Sequence, residues 1–272
     1  MVRSSASQRP LALVTGASAG IGAAFARAYA ARGYDLALVA RRADRLEALA
    51  AELSAAHGIE AFAIPADLAG WETCAAVLAA VAERGRQVDA LVNNAGFSIP
   101  QSFAAVPWTR QRDFLMTLVV NACGLAHGVI GGMVERGRGE IVNVSSLTAF
   151  APGVAGHSLY PGAKALALKW SQSLAAELAG TGVKVTCVCP GFTLTEFAEA
   201  NGTKAVMDQA PRRVFQTPEQ VVRVTLAALE RGKVVVVPGW HNQLAAAMLK
   251  LVPESISIPL IRRGSAKYHL PD

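Results

Sequence analysis

Charge is scarce in this 272-residue sequence, where only 17% of residues are Asp, Glu, Lys or Arg while 52% are hydrophobic. That balance excludes a mostly disordered chain and can fill a large core. Aromatics are few, at 6%, and the net charge of +6 is carried by scattered pairs such as Arg41-Arg42, Arg136 with Arg138, Arg212-Arg213 and Arg262-Arg263. There is no block of about five or six like charges, so a nucleic-acid-binding stripe is not expected. An anionic small molecule accounts for the excess. The cysteines, Cys74, Cys123, Cys187 and Cys189, have neither zinc spacing nor a disulfide framework. No metal site is expected, and reduced thiols suit a cytoplasmic protein. No uncharged apolar run reaches the roughly 18 to 20 residues of a membrane span. The nearest, Leu244 to Ile261, is broken by Lys250, Pro253, Glu254 and Pro259.

What is present is an alternation of short apolar runs with longer helical patterns. Leu11 to Thr15, Leu36 to Ala40, Glu60 to Ala66, Ala90 to Asn93, Glu140 to Val144, Val183 to Cys189 and Lys233 to Val237 read as strands. Between them lie helical stretches over 21–32, 43–57, 71–84, 109–135, 159–179 and 218–231. In the second, Leu46, Leu49, Ala50 and Leu53 form the helical stripe. Strands apolar on consecutive residues are buried on both faces, as in parallel sheets. The expected fold is therefore α/β: a Rossmann-type doubly wound parallel sheet of three layers in a single domain over 1–272. Residues 1–9 are expected to be a flexible N-terminus and 239–272 a C-terminal extension.

Directly after the first strand, Thr15-Gly16-Ala17-Ser18-Ala19-Gly20-Ile21-Gly22 enters a helix. Glycines there permit a tight turn and close approach of a pyrophosphate to the helix N-terminus. Gly16, Ser18, Ala19, Gly20, Ile21 and Gly22 are the expected contacts. The second strand ends in Ala40-Arg41-Arg42, where an NAD site would carry a carboxylate. Guanidinium groups suit a 2′-phosphate in charge and forked geometry, so NADP(H) is the expected cofactor. Asp67 and Leu68 follow the third strand, with Asp67 in reach of an adenine edge. Asn93-Asn94-Ala95-Gly96 follows the fourth, either stabilising a turn or lining the cofactor cleft.

Tyr160 and Lys164 stand four apart at the beginning of a helix, which stacks them on one face. An ammonium one turn away favours phenolate and would bring the phenol toward working pH. Ser145-Ser146 closes the fifth strand, at the sheet end where ligands bind in such folds. Ser146 can hold a substrate oxygen there. Asn121 interrupts an apolar helical pattern, where its amide can bond the backbone and position a water. Pro190, Gly191, Thr193 and Thr195, after the sixth strand, can face a nicotinamide carboxamide or serve as an ordinary turn.

In this order and spacing, the elements Thr15-Gly16-x-x-x-Gly20-Ile21-Gly22, Asp67-Leu68, Asn93-Asn94-Ala95-Gly96, Asn121, Ser146, Tyr160-x-x-x-Lys164 and Pro190-Gly191 resemble the short-chain dehydrogenase/reductase family. The resemblance implies an NADP-dependent oxidoreductase acting on a carbonyl or alcohol. In it Asn121 would hold a relay water, Ser146 orient the carbonyl, Tyr160 donate the proton, and Lys164 acidify Tyr160 and bind the nicotinamide ribose. It also implies a substrate-binding loop over 192–216 and a homodimer or homotetramer. The sequence departs from the family in three places. The Ser146-to-Tyr160 interval is one residue longer, Ala149 replaces a glycine, and Pro161 follows the tyrosine. Proline suits a first helical turn but restrains Tyr160 itself.

Ala149, Phe150, Pro152, Val154, Leu159, Phe192, Phe197 and Met207 are the expected walls of an apolar pocket for a small hydrophobic carbonyl or alcohol. An amphipathic helix around Leu244, Met248, Leu251 and Val252 would cover that pocket, pack on a partner subunit or touch a membrane surface. A catalytically silent NADP-binding sensor or scaffold of the same fold is the alternative from another class, and a related epimerase or dehydratase a further one.

Overall fold

The structure, a computed structural model, describes residues 9–153, 156–157, 159–252, 255–256 and 258–259, excepting the side chains of Val206 and Met207. Its centre is a sheet of seven parallel strands in the order β3-β2-β1-β4-β5-β6-β7. These are β1 Leu11–Thr15, β2 Asp35–Ala40, β3 Ala61–Pro65, β4 Val88–Asn93, β5 Gly139–Val144, β6 Val183–Val188 and β7 Val235–Val236. The pleat divides the apolar runs between two faces. Ala12, Val14, Leu36, Leu38, Ala90 and Val142 pack under α1 (Gly20–Ala31), α2 (Ala43–His57) and α9 (Pro218–Glu230). Leu11, Leu13, Ala37, Val39, Leu91 and Ile141 pack under α3 (Thr73–Ala82), α5 (Asn121–Glu135) and α6 (Leu159–Glu177). This is the expected single Rossmann-type domain with helices on both faces.

Strand order reverses direction between β1 and β4, which opens a crevice at the carboxyl ends of the strands. The long helix expected over 109–135 is α4 (Trp108–Leu115), a π-helical turn at Met116–Val120, and α5. Among the described residues, the nearest approach to a membrane span is not Leu244 to Ile261, as expected, but Trp108–Glu135, a 28-residue helical run long and apolar enough to cross one, with a mean hydropathy of 1.7 in its most apolar window. Instead Leu125, Ala126, Val129 and Met133 bury it against the sheet. Thr217 caps α9 in a reciprocal capping box with Gln220, as its position before Pro218 suggests.

The stretch 192–216 is more ordered than its sequence promised. It carries the short helices α7 (Phe197–Ala200) and α8 (Lys204–Met207), and a bridge from Thr193 to Gln216 ties its ends together. The amphipathic tail helix is α10 (Trp240–Leu251), which buries Ala246 and exposes Leu244, Met248 and Leu251. Arg9 does not share the freedom expected of 1–9, because its carbonyl accepts from Arg86 Nη2 at 2.9 Å. Residues 1–8 lie outside the described part.

Candidate active site

The glycine turn sits at the carboxyl end of β1, and its geometry forbids side chains. Gly16 and Gly20 have φ of 66° and 55°. A Cβ at Gly22 would lie 2.2 Å from the Gly16 carbonyl oxygen. The N-cap of α1, Ala19, offers no side-chain cap, and the first turn holds no acidic residue. The first N–H groups of α1 are therefore left for an outside anion. A glycine cradle under an uncapped helix end fits a pyrophosphate.

Asn94 braces this turn. Its Nδ2 donates to the carbonyls of Thr15 at 2.9 Å and Gly16 at 3.3 Å. Thr15 Oγ1 in turn accepts from the backbone N–H groups of Asn94 and Ala95. These bonds bear out the turn-stabilising alternative for this motif. Gly96 packs against Leu118, which closes the wall beside it. Asp67 is exposed beyond β3, with Oδ1 accepting from Ala69 N at 3.1 Å, while Leu68 is buried.

At the end of β2, Arg41 and Arg42 diverge. Arg41 is exposed and has no ion-pair partner among the described residues. Arg42 forks onto Ser18 Oγ through Nε at 3.2 Å and Nη2 at 3.0 Å, which draws it over the glycine turn.

On the other side of the crevice, Tyr160 enters α6 one residue after its start, with its N–H donating to the His157 carbonyl. Pro161 is buried in the first turn and does not expel Tyr160 from the helix. The Tyr160 hydroxyl lies close enough to the Ser146 side chain for that hydroxyl to counter part of the phenol's rise. Ser146 Oγ also accepts from Thr148 N at 3.2 Å. Lys164 is buried, donates to the Val144 carbonyl at 2.9 Å, and lies 5.6 Å from the centre of the Tyr160 ring. Ser145 Oγ fastens this helix to the strand end by donating to the Lys164 carbonyl at 2.7 Å.

The electrostatics correct one expectation. Burial pushes the Tyr160 phenol up to about 12, and the Ser146 hydroxyl only pulls against that rise. Burial likewise lowers the Lys164 ammonium to about 8. Desolvation sets the direction for both groups, opposite to the acidified phenol expected from the lysine.

Asn121 follows the π turn and is 1% exposed. Its Nδ2 donates to the carbonyls of Leu68 at 2.8 Å and Gly70 at 2.9 Å, and its Oδ1 accepts from Cys74 N at 3.1 Å. The amide therefore ties α5 to the loop after β3, the backbone bonding anticipated for it. A small cleft lies between α5 and α6, lined by Asn93, Thr117, Asn143 and Lys164 among others. Asn93 Oδ1 is buried without a hydrogen-bond partner. Polar, roomy and holding an unsatisfied oxygen, this space suits an ordered water.

The comparisons with known proteins agree with this arrangement. The profile of the short chain dehydrogenase family matches residues 10–205. An uncharacterized oxidoreductase of Myxococcus xanthus is 32% identical over 252 residues, covering 93% of this chain and 96% of its own. The chain belongs to the short-chain dehydrogenase family. A short-chain dehydrogenase from Sphingobium yanoikuyae, solved in complex with NADPH, superimposes with a TM-score of 0.78 at 32% identity, covering 90% of this chain and 97% of that one. A 7beta-hydroxysteroid dehydrogenase superimposes with a TM-score of 0.83 at 27% identity, over 93% of this chain and 96% of that one.

In this short-chain dehydrogenase the surroundings of Tyr160 are aromatic. Phe114 and Phe197 place their ring centres 6.4 Å and 6.3 Å from it, and Phe97 meets Phe114 edge-on at 5.5 Å. A small recess beside Tyr160 is lined by Ile99, Gln101, Gln111, Phe114 and Leu159. Of the expected pocket residues, Leu159 and Phe197 are here. Ala149 and Phe150 instead pack on Leu168, Cys187 and Cys189, and Phe192 stacks on Phe215. Pro152 is half-buried, while Val154 and the Met207 side chain lie outside the described residues.

The sequence reading missed Phe97, which lies in an irregular loop after β4, and Phe114, whose place in an apolar helical pattern looks like ordinary core. It also missed Asn242, which sits under the Pro190-Gly191 turn. Asn242 Nδ2 donates to Gln216 Oε1 at 3.1 Å and to the Pro238 carbonyl at 2.8 Å. A Cβ at Gly191 would meet Asn242 Oδ1 at 2.3 Å, so a side chain there would displace the Asn242 amide. Thr193 Oγ1 donates to the Gly191 carbonyl at 3.1 Å, and Thr195 Oγ1 accepts from Phe197 N at 3.2 Å.

Proposed function

We propose that this oxidoreductase uses NADP(H) to reduce a ketone or aldehyde to an alcohol, or to run the reverse reaction. The observation that carries the reading is the convergence of Ser146, Tyr160 and Lys164 beyond the carboxyl end of β5, with Lys164 Nζ 5.6 Å from the centre of the Tyr160 ring, across the crevice from a glycine cradle flanked by Arg42. When bound, the nicotinamide supplies or accepts the hydride at the carbonyl carbon. Gly16, Ser18, Ala19, Gly20, Ile21 and Gly22 hold the pyrophosphate side, and Arg41 and Arg42 the 2′-phosphate. Asp67 and Leu68 flank the adenine; Asn94, Ala95, Gly96, Pro190, Gly191, Thr193 and Thr195 border the remaining cofactor cleft.

On this reading Ser146 donates to the substrate oxygen and fixes it beside the phenol. Tyr160 then delivers its proton to that oxygen as the alkoxide develops. A phenol held protonated by burial is suited to the reductive direction. Lys164 stabilises the phenolate left behind and lies against the space proposed for a relay water. Asn121 serves this arrangement as a positioning residue, through its bonds to the loop after β3.

The aromatic lining from Phe97, Phe114 and Phe197 supports a hydrophobic carbonyl compound, and Gln101 and Gln111 would meet a polar substituent on it. Val120, Val134 and Leu166 are exposed apolar residues on the α5 and α6 side, which supports a homo-oligomer formed there. The exposed residues of α10 allow peripheral membrane contact, and a cytoplasmic location is consistent with four free thiols.

The test is Tyr160→Phe. Its dissociation constant for NADPH should stay within about threefold of wild type, while turnover of a ketone panel falls by roughly 10²-fold or more. Retained turnover would remove the acid-base role.

A further inference from the structure

A carboxylate of the chain itself lies between Arg42, placed above at the 2′-phosphate, and Arg45, one turn further along α2. Glu196 receives Arg42 Nη1 at 3.0 Å, while Arg45 Nη1 reaches both of its oxygens, at 2.7 Å and 2.8 Å. Arg42 simultaneously holds Ser18 of the glycine turn. One carboxylate thus ties β2's end and the start of α2 to the segment after β6. The neighbours of Glu196 lie directly on functional surfaces. Thr195 Cγ2 lies 2.9 Å from where a Cβ on Gly20 would be, and Phe197 flanks Tyr160.

We infer that Glu196 is a cofactor-selectivity residue: an internal anion that occupies Arg42 and Arg45 and must release them before they can bind a 2′-phosphate. The inference rests on the NADP reading of Arg42 given above. It adds Arg45 as a phosphate ligand and Glu196 as its competitor. A guanidinium fork accepts carboxylate or phosphate in the same geometry, so the two anions exclude each other. NADH carries a hydroxyl at this position and leaves the ion pairs intact. Glu196 therefore narrows the preference for NADPH. Its displacement also frees the Thr195–Phe197 segment from α2, so arrival of the phosphate is felt beside Tyr160.

The pairs are roughly half exposed, so each contributes modestly. Glu196→Gln should tighten NADPH binding by roughly three- to tenfold and leave NADH within about twofold. Calorimetric titration of the purified protein reads both constants. 2′-AMP, which carries the phosphate without a nicotinamide, should gain affinity in parallel with NADPH. Arg45→Gln should weaken NADPH and 2′-AMP, but not NADH.

Unchanged or weaker NADPH binding in E196Q, or an equal change for both cofactors, would overturn the role of Glu196. A wild type that prefers NADPH, with a ratio unmoved by E196Q, sinks that role and spares the cofactor reading. If wild type, E196Q and R45Q all bind NADH as tightly as NADPH, the cofactor reading falls and the inference falls with it.

Discussion

Lys164 anchors its ammonium on the Val144 carbonyl at 2.9 Å while lying against the face of the Tyr160 ring, 5.6 Å from its centre. Burial moves the two groups in opposite directions, the lysine down to about 8 and the tyrosine up to about 12. Reduction requires a protonated Tyr160, which holds up to about 12, and a charged Lys164, which is lost above about 8. kcat/KM for reduction should be level below that point and fall above it. Lys164→Arg keeps its charge and should remove the fall; a profile still breaking near the same pH would assign the break to another group.

The same shifts bear on folding. Lys164 is depressed from 10.5 to about 8, so between those values the unfolded chain binds more protons and this group makes stability rise with pH. Tyr160 acts oppositely and higher: its contribution is complete below 10 and is lost as pH climbs toward about 12. Denaturant midpoints at intervals from pH 7 to 11 should change slope near pH 10 in wild type. The descending part should weaken in Tyr160→Phe.

Gly22→Ala places a methyl 2.2 Å from the Gly16 carbonyl and 2.6 Å from Asn94 Nδ2. Backbone cannot yield there cheaply, so the variant should lose about 1–3 kcal/mol of stability and weaken NADPH by more than roughly tenfold. Gly131→Ala, whose Cβ would meet open space on α5, is the control. It should gain about 0.5–1 kcal/mol, from the better helix propensity of alanine. Thermal melts and NADPH titration separate the two.

Replacing both Arg41 and Arg42 with alanine should weaken NADPH by roughly ten- to a hundredfold, with NADH changed less than about threefold. Direct titration decides it, and equal losses would remove the phosphate assignment.

The fold was legible because seven apolar runs sit at regular intervals and the two faces differ only by the pleat. β7 was read too long, as Lys233 to Val237, since only Val235 and Val236 pair with β6. The motifs carrying Gly16, Gly22, Ser146, Tyr160 and Lys164 were expected at the carboxyl ends of the strands, and the structure puts them there. What spacing could not carry was direction. Ala149 and Phe150 follow Ser146 closely, yet the short helical turn after β5 sends them toward Leu168 and the α10 side. The aromatic wall of Tyr160 comes from Phe97 and Phe114, distant in sequence. Desolvation, which reverses the expected shift of Tyr160, depends on packing that no motif encodes. Glu196 and Arg45 lie 151 residues apart, and nothing local in either joins them.

Arg86, 6% exposed, clamps Asp35 at 2.8 Å and reaches Glu60 at 3.1 Å, at the amino ends of β2 and β3. Because all strands run one way, this ionic knot and the crevice occupy opposite rims, separated by a strand length of about 17–20 Å. Arg86→Met strands the Asp35 charge and should cost about 3–5 kcal/mol. NADPH affinity of the folded fraction should be unchanged, as melting curves and titrations can show. Heat tolerance can thus be altered at the pole of the sheet opposite the chemistry, without disturbing it.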